Sequence, residues 1–222
     1  MPVKKLTRQQ IAKVVAHDIP DGSYVNLGIG IPTLIAGFLP SDRDIILHTE
    51  NGIVGMGPGV HGRPVDPDLI NASKEPVTLL PGAAITDHVV SFMMMRGGHL
   101  DITVLGAYQV SAGGDLANWD TGVPGNIPAV GGAMDLVAGD HLIYITMEHV
   151  TKDGKPKIVN TCSYPLTGVG VVDRIYTDVA VLDVAPKAMR VRAMAPGMTF
   201  DALQTITECP LVLAENWHVL KP

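Results

Sequence analysis

The chain has 222 residues, of which 46% are apolar and 17% charged, and its formal net charge is −6. This apolar content predicts a substantial core and argues against intrinsic disorder. The negative charge argues against a nucleic-acid-binding protein, because a phosphate backbone requires a basic surface. The sequence shows neither an apolar run of the ~20 residues that a membrane span needs nor the apolar core of a secretory signal.

The cysteines and histidines suggest neither a disulfide-bonded scaffold nor a metal site. Cys162 and Cys209 are too few for a disulfide scaffold, which favours a reducing, cytoplasmic location. The eight histidines are scattered and form no His-Glu-x-x-His motif, so the sequence predicts no metal site. Because no repeat, linker or change in composition divides the chain, we expect residues 1–222 to form a single domain.

The first part of the chain alternates between helix and strand patterns. Residues 7–10 (Thr-Arg-Gln-Gln) fit a capping box and predict an amphipathic helix that ends near His17. A strand at residues 24–27 follows, then a glycine turn, and then a helix with Pro32 in its first turn. This alternation predicts an α/β fold with an open, mostly parallel sheet flanked by helices.

The rest of the chain contains further strand and helix patterns. Strands are predicted at residues 77–80, 102–105, 142–147, 156–159, 174–176, 179–184 and 189–192, and helices at 87–95 and 199–207. We expect residues 55–67 to form a loop over the sheet edge, residues 106–132 a long irregular loop, and residues 152–155 a hairpin turn. The segment after Cys209 has no interpretable pattern.

One acidic residue falls where such sheets bind ligands. The apolar residues 45–47 predict a buried strand, and Asn51-Gly52 predicts a tight turn directly after it. Glu50 is therefore expected at the carboxyl end of a strand, at the ligand-binding edge of an open α/β sheet. A carboxylate there can be an acid, a base, a nucleophile or a metal ligand, and a solvated turn glutamate is the alternative.

Two other features leave alternatives open. The turn from Gly28 through Gly30 follows a strand and precedes a helix, but it lacks the third glycine of a dinucleotide fingerprint. It suits a phosphate or carboxylate better than a nicotinamide cofactor, and a tight turn that simply requires glycine is the alternative. Lys74 lies just before a strand and could reach the same sheet edge, or it could be an ordinary exposed lysine.

Several stretches, in the family's order, together resemble the B subunits of the class I 3-oxoacid CoA-transferase family. They are residues 26–33, 49–52, 114–119, 131–136, 147–149 and 165–168. Residues 49–52 correspond to the family's Ser-Glu-Asn-Gly motif, with Thr49 in place of the serine. The resemblance implies a B-subunit fold of the NagB/RpiA-like type, a separate A (alpha) subunit that completes the active site, and a heterodimer or heterotetramer.

The resemblance also implies a ping-pong reaction. Glu50 would attack a coenzyme A thioester and carry CoA as a glutamyl thioester, so CoA enters as a substrate and no permanently bound cofactor is implied. Gly131 and Gly132, with Asn51, would support the site through the backbone. The residues that would bind CoA or substrate, partly as hydrogen-bond donors, are Asn26, Gly28, Gly30 and Lys74.

The substrate is the least determined part of this interpretation. Residues 114–122, 127–130, 164–168 and 174–178 are most similar to family members that transfer CoA from succinyl-CoA to 3-oxoadipate in aromatic catabolism. Acetoacetate and short-chain fatty acids are the alternative acceptors. A diacid needs a cation for its distal carboxylate, and Arg63, Arg96 or a residue of the A subunit could supply it.

Two other classes of function compete with this hypothesis. A nicotinamide oxidoreductase is disfavoured by the incomplete glycine fingerprint. A ligand-sensing module of the same fold would bind a phosphorylated metabolite without chemistry, and it would have no use for a carboxylate nucleophile at Glu50.

Overall fold

The computed structural model describes residues 2–60, 66–123, 125, 128 and 130–221. These residues form a ten-stranded open sheet, a separate three-stranded sheet and five short helices. The helices are α1 (Arg8–Asp18), α2 (Ile31–Leu34), α3 (His88–Arg96), α4 (Ala133–Leu136) and α5 (Phe200–Thr205), with a 3₁₀ turn at Ile35–Phe38. The strands are β1 (Tyr24–Leu27), β2 (Ile46–His48), β3 (Ile53–Gly59), β4 (Val77–Ile85), β5 (Ile102–Gly106), β6 (Gln109–Ser111), β7 (Leu116–Ala117), β8 (Leu142–Met147), β9 (Ile158–Val159), β10 (Arg174–Thr177), β11 (Ala180–Asp183), β12 (Met189–Met194) and β13 (Leu211–Val219).

The large sheet has a parallel centre and antiparallel flanks, with one further parallel pair, β12 and β13, at its edge. Its strand order is β13-β12-β11-β10-β8-β5-β1-β2-β3-β4. The five central strands from β10 to β2 pair in parallel, and β3, β4, β11 and β12 add antiparallel pairs. The predicted α/β class is confirmed. Because parallel strands end at a common edge, the residues after β2, β1, β5 and β8 meet there.

The first helix begins as the capping box predicts. The Thr7 hydroxyl accepts from the Gln10 N–H at 3.2 Å, and Gln10 Oε1 accepts from the Thr7 N–H at 2.9 Å. Two donors at the helix start are thereby satisfied. Ile11 and Val15 are buried on the inner face of α1, which ends at Asp18, one residue beyond the predicted end.

Most other predicted elements are present within a few residues. β8 has the predicted bounds, and α5 is preceded by Thr199, whose hydroxyl accepts from the Ala202 N–H. The hairpin turn at 152–155 is closed by a 2.8 Å hydrogen bond from the Thr151 N–H to the Lys155 carbonyl. The single-domain organisation of residues 1–222 stays a prediction.

The loop predicted at residues 55–67 is wrong over its first part, where β3 runs to Gly59 and pairs with β4. Glycine is used there because the two backbones approach closely. A Cβ on Gly57 would lie 2.4 Å from Thr78 Oγ1. A glycine-rich strand lacks the alternation of apolar side chains by which strands are recognised, so the sequence resembled a loop. Residues 61–65 of this prediction lie outside the described residues.

Two further segments contain strands that the sequence did not predict. The long loop at 106–132 includes β6 and β7, which form the small sheet with β9 and bury Val110 and Leu116. Strands of two or three residues are too short to show a period. The C-terminal β13 lies at the edge of the large sheet, and Leu211 and Ala214 are its buried apolar residues, so it also lacks alternation.

None of the helices within the described residues is long and apolar enough to cross a membrane.

A buried histidine just after β8 contacts β10 and the segment after α5. His149 is fully buried, and its two ring nitrogens lie 3.0 Å from Thr177 Oγ1 and 2.8 Å from Thr207 Oγ1. Burial lowers the pKa of His149 to about 4, with the Asp178 carboxylate opposing and Lys5 and Lys157 adding to the decrease. The ring is therefore neutral in the folded protein at pH 7.

This burial predicts a loss of stability at acid pH. Because the unfolded chain protonates its histidine near pH 6.5, the stabilising effect is present above that pH and is lost as the pH falls towards 4. For His149 the loss is on the order of 3 kcal/mol over this window. Urea unfolding of the unsubstituted chain and of His149→Gln at pH 7, 6, 5 and 4 should give a shallower decline for the variant. An identical decline in both proteins would contradict the assignment.

Candidate active site

A cavity of about 580 Å³ lies at the carboxyl edge of the central strands. Its lining includes residues at the carboxyl ends of four strands and just beyond them: residues 26–31 at β1, Glu50 at β2, residues 105–108 at β5 and residues 146–148 at β8. It therefore occupies the edge at which open α/β sheets bind ligands, as expected from the position of Glu50 in the sequence.

The structure brings six of the eight sequence-predicted site residues to this cavity. The six are Glu50, Asn26, Gly28, Gly30, Gly131 and Gly132. Asn51 and Lys74 are not among the lining residues. The side chain of Asn51 donates to the Ile70 carbonyl at 2.8 Å, and exposed Lys74 lies two residues from Ala72, which does line the cavity. The catalytic and binding roles of all eight stay predictions.

A tight turn holds Glu50 between β2 and β3. The Gly52 N–H donates to the Thr49 carbonyl at 3.0 Å, and the Ile53 N–H donates to the Thr49 hydroxyl at 3.1 Å. The hydroxyl of Thr49 therefore closes the turn. Gly52 has φ +109°, and a Cβ there would lie 2.2 Å from the Thr86 carbonyl oxygen, so only glycine fits.

The carboxylate of Glu50 packs against the backbone at the start of α4. A Cβ placed on Gly132 would lie 2.5 Å from Glu50 Oε2 and 3.1 Å from the ring of Phe92. The carboxylate of Glu50 thus occupies the space that a side chain at position 132 would fill. No described residue accepts a hydrogen bond from the backbone N–H of Gly131 or Gly132.

A buried hydrogen-bond chain joins the cavity wall to the backbone of Glu50. Asn26 Nδ2 lies 2.9 Å from His48 Nδ1 and 3.3 Å from the His48 carbonyl oxygen. His48 Nε2 lies 3.0 Å from Ser91 Oγ, and the Ser91 hydroxyl lies 2.8 Å from the Glu50 carbonyl oxygen. Burial lowers the pKa of His48 to about 4, which keeps the ring neutral.

The directions of these bonds follow from chemistry. A carbonyl oxygen can only accept, so the Asn26 atom facing His48 must be the amide nitrogen. His48 Nδ1 then accepts, and Nε2 carries the hydrogen and donates to Ser91. Both amide hydrogens of Asn26 are used in these two hydrogen bonds, so its amide oxygen remains available to a ligand. Asn26 can therefore accept a hydrogen bond in the cavity, whereas the sequence suggested a donor.

Sequence reasoning did not identify His48 or Ser91. The one signal in the sequence was Ser91, a polar residue between the apolar residues of helix α3. Its partner His48 lies 43 positions earlier in the chain, and local pattern cannot reveal such a pairing.

The structure describes one of the two arginines proposed for a distal carboxylate, and that arginine does not line the cavity. Arg96 pairs with Asp135 at 2.7 Å and is not among the lining residues, and Arg63 lies outside the described residues. Among the described residues, the cations that line the cavity are Arg8 and Lys157, neither of which the sequence marked as a binding residue. Both are distant from Glu50 in sequence, and neither belongs to a motif that indicates substrate binding.

Among the described residues, no three His, Cys, Asp or Glu side chains converge to form a metal site.

Cys162 is half-buried, and burial raises the pKa of its thiol to about 11, with Asp115 adding to the increase. A thiol of this kind is not a nucleophile at neutral pH. Glu50 is therefore the stronger nucleophile candidate.

Known proteins share the sequence pattern and the fold of this chain. Residues 8–205 match the family model for coenzyme A transferase. The chain is 55% identical over 212 residues to the B subunit of 3-oxoadipate CoA-transferase from Acinetobacter baylyi, covering 96% of this chain and 98% of that protein. It is 46% identical over 212 residues to human mitochondrial succinyl-CoA:3-ketoacid coenzyme A transferase 2, covering 94% of this chain and 41% of that protein.

The crystal structure of the acyl-CoA transferase YdiF apoenzyme from Escherichia coli O157:H7 has a similar fold. The TM-score is 0.76 at 20% identity, and the match covers 100% of this chain and 44% of that chain. At this identity the likeness concerns the fold alone. The present chain thus spans less than half the length of YdiF and of the human enzyme. From the family model and the sequence identities, the chain belongs to the coenzyme A transferase family.

Proposed function

We propose that this chain is the B subunit of a two-subunit enzyme that transfers CoA from succinyl-CoA to 3-oxoadipate. The observation that carries the proposal is the position of Glu50 on a rigid strand-end turn in the wall of the cavity. The identity of 55% to the B subunit of a 3-oxoadipate CoA-transferase, over nearly its whole length, supports this substrate.

The reaction begins with attack by the Glu50 carboxylate on the thioester carbon of succinyl-CoA. The carbon–sulfur bond breaks, which gives a succinyl–glutamyl anhydride and CoA thiolate. The thiolate then attacks the glutamyl carbonyl, so that succinate leaves and a glutamyl–CoA thioester remains. The acceptor carboxylate attacks this thioester, and the same steps in reverse give the new acyl-CoA and free Glu50.

The local geometry suits a carboxylate nucleophile. The turn hydrogen bonds of Thr49 and the bond from Ser91 fix the backbone of Glu50, and Gly132 leaves room for its carboxylate. Such orientation of reacting groups can contribute ~7–11 kcal/mol to a barrier reduction. The N–H groups of Gly131 and Gly132 are suited to stabilise the oxyanion that forms on each attack.

An A subunit is expected to cover the cavity beside Glu50. The bacterial relative is named as one subunit of its enzyme, and the human enzyme is more than twice as long as its matched part, which supports a missing half. Helix α3 also has an exposed apolar surface next to the site. Val89 and Met93 are 66% and 65% exposed, and neighbouring Phe92 packs against Gly132. This surface suits burial by a partner in a heterodimer or heterotetramer. A cytoplasmic location stays a prediction.

Acetoacetate is the alternative acceptor, since the human relative is named for 3-ketoacids and is 46% identical. Short-chain fatty acids are a further alternative. A ligand-sensing module receives less support, because a sensor needs neither a positioned carboxylate nor room for it beside Gly132.

The substitution Glu50→Gln should reduce transfer by roughly 10³-fold or more while leaving assembly with the A subunit intact, because an amide cannot form the anhydride. The measurement is steady-state transfer by the purified pair, with size-exclusion chromatography to check assembly. Glu215→Gln, on the exposed edge strand β13, is the matched control and should keep full activity. Substantial transfer by assembled Glu50→Gln would contradict covalent catalysis at this residue.

An acceptor panel tests the substrate. With succinyl-CoA as donor, the reconstituted pair should show its highest kcat/KM for 3-oxoadipate, compared with acetoacetate, acetate and butyrate. Each polypeptide on its own is the control and should be inactive, because the site is completed between the two. A higher kcat/KM for acetoacetate or a fatty acid would reject 3-oxoadipate as the preferred acceptor.

A further inference from the structure

The cavity has a second polar end at the carboxyl terminus of β8. Its lining there includes Thr146 and Glu148, together with Arg8 from α1 and Lys157 from the segment before β9. In the sheet, β8 is separated from β2 by β5 and β1. Three strand spacings place the backbones of the two ends roughly 14 Å apart.

The backbone of Lys157 is held firmly at this end. Its N–H donates to the His149 carbonyl at 3.2 Å, and its carbonyl accepts from the Val110 N–H at 3.0 Å. The side chain is half-buried, and it forms no salt bridge with any described residue. Burial lowers the pKa of Lys157, opposed by Glu148 and then Asp178.

The nearby carboxylates are already paired. Asp178 lies 2.9 Å from the ammonium of Lys5 and accepts the His149 backbone N–H. Glu148 lies 3.5 Å from the guanidinium of Arg8. Two cations against one lining carboxylate leave this end of the cavity net positive, so it suits an anionic ligand.

A buried hydroxyl gives an independent indication of a ligand. Thr146 is 2% exposed, it lines the cavity, and its Oγ1 has no hydrogen-bond partner in the described structure. A buried hydroxyl left unpaired is costly, and such groups normally have a partner. A ligand oxygen at this end would supply one.

We propose that Lys157, with Arg8 and the Thr146 hydroxyl, binds the distal carboxylate of a dicarboxylic acyl group whose thioester end faces Glu50. This inference rests on the proposed function. A four- to six-carbon diacid spans roughly 4–6 Å between its carboxyl carbons. Together with the side chains of Glu50 and Lys157, it bridges the separation of the two ends. The site would serve both the succinyl donor and a diacid acceptor, and it would favour diacids over acetoacetate.

The test uses the substitution Lys157→Met in the enzyme assembled with its A subunit. The measurement is the rate of glutamyl–CoA formation from succinyl-CoA and, separately, from acetoacetyl-CoA, followed by intact mass. For succinyl-CoA we expect kcat/KM to fall roughly 10- to 100-fold, because a charge-assisted contact is lost. For acetoacetyl-CoA it should change less than about twofold, and this reaction also reports correct folding. Lys157→Arg should recover part of the loss.

Lys152→Met is the matched control, since Lys152 is exposed on the same hairpin and does not line the cavity. It should change neither rate. The dissociation constant for free CoA, measured by calorimetry, should be the same in Lys157→Met and the unsubstituted enzyme.

The following outcomes would overturn the inference. An unchanged rate with succinyl-CoA would show that Lys157 binds no substrate carboxylate. Equal losses with both acyl-CoAs and weaker binding of free CoA would show that it binds a CoA phosphate instead. If the unsubstituted enzyme forms no CoA adduct from either substrate, the proposed function itself fails. If the adduct forms but Lys157→Met does not discriminate, only the carboxylate site fails.

Discussion

The position of Glu50 depends on a tight turn whose backbone conformation requires glycine at position 52. Gly52 is held against the Thr86 carbonyl in a backbone geometry that other residues cannot adopt, and the Thr49 hydroxyl closes the turn. Glu50 lies at the centre of this turn, with its carboxylate in the space that a side chain on Gly132 would fill. The steric limits at Gly52 and Gly132 thus determine the position of the Glu50 carboxylate independently of electrostatic interactions.

The surrounding polar groups support this position without adding charge. His48 is buried and neutral, and it relays hydrogen bonds from Asn26 to Ser91 and so to the backbone of Glu50. A cationic group here would pair with the carboxylate and weaken it as a nucleophile. The cations Arg8 and Lys157 line the cavity near β8, three strand spacings away in the sheet. The cavity therefore has one end suited to attack and another suited to recognition.

Features that depend on adjacent residues could be predicted from the sequence. The capping box at Thr7 and the turn after Glu50 arise from contacts within a few positions, and β8 is recognisable as a run of adjacent, mostly apolar residues. The family resemblance added Gly131 and Gly132, whose distance from Glu50 in the chain gives no local signal. The structure places both in the same cavity as Glu50.

Features that depend on distant contacts could not be predicted. His48 and Ser91 are 43 positions apart, and Lys157 reaches the cavity because a hairpin returns it to the end of β8. Strand β3 was not predicted because its glycines, which allow the close approach of β4, remove the alternating pattern of apolar side chains. Lys74, suggested by resemblance, is exposed on a turn beside the cavity and is not among its lining residues.

Covalent attachment of CoA to Glu50 is the central step of the proposed reaction, and trapping the thioester tests it most directly. The assembled enzyme would be incubated with succinyl-CoA, reduced with borohydride, digested, and its peptides mapped by mass spectrometry. We predict that the Glu50 side chain alone is converted to the alcohol, and only when succinyl-CoA is present. An unmodified Glu50 in enzyme that turns over, or the same modification at another residue, would contradict covalent catalysis by Glu50.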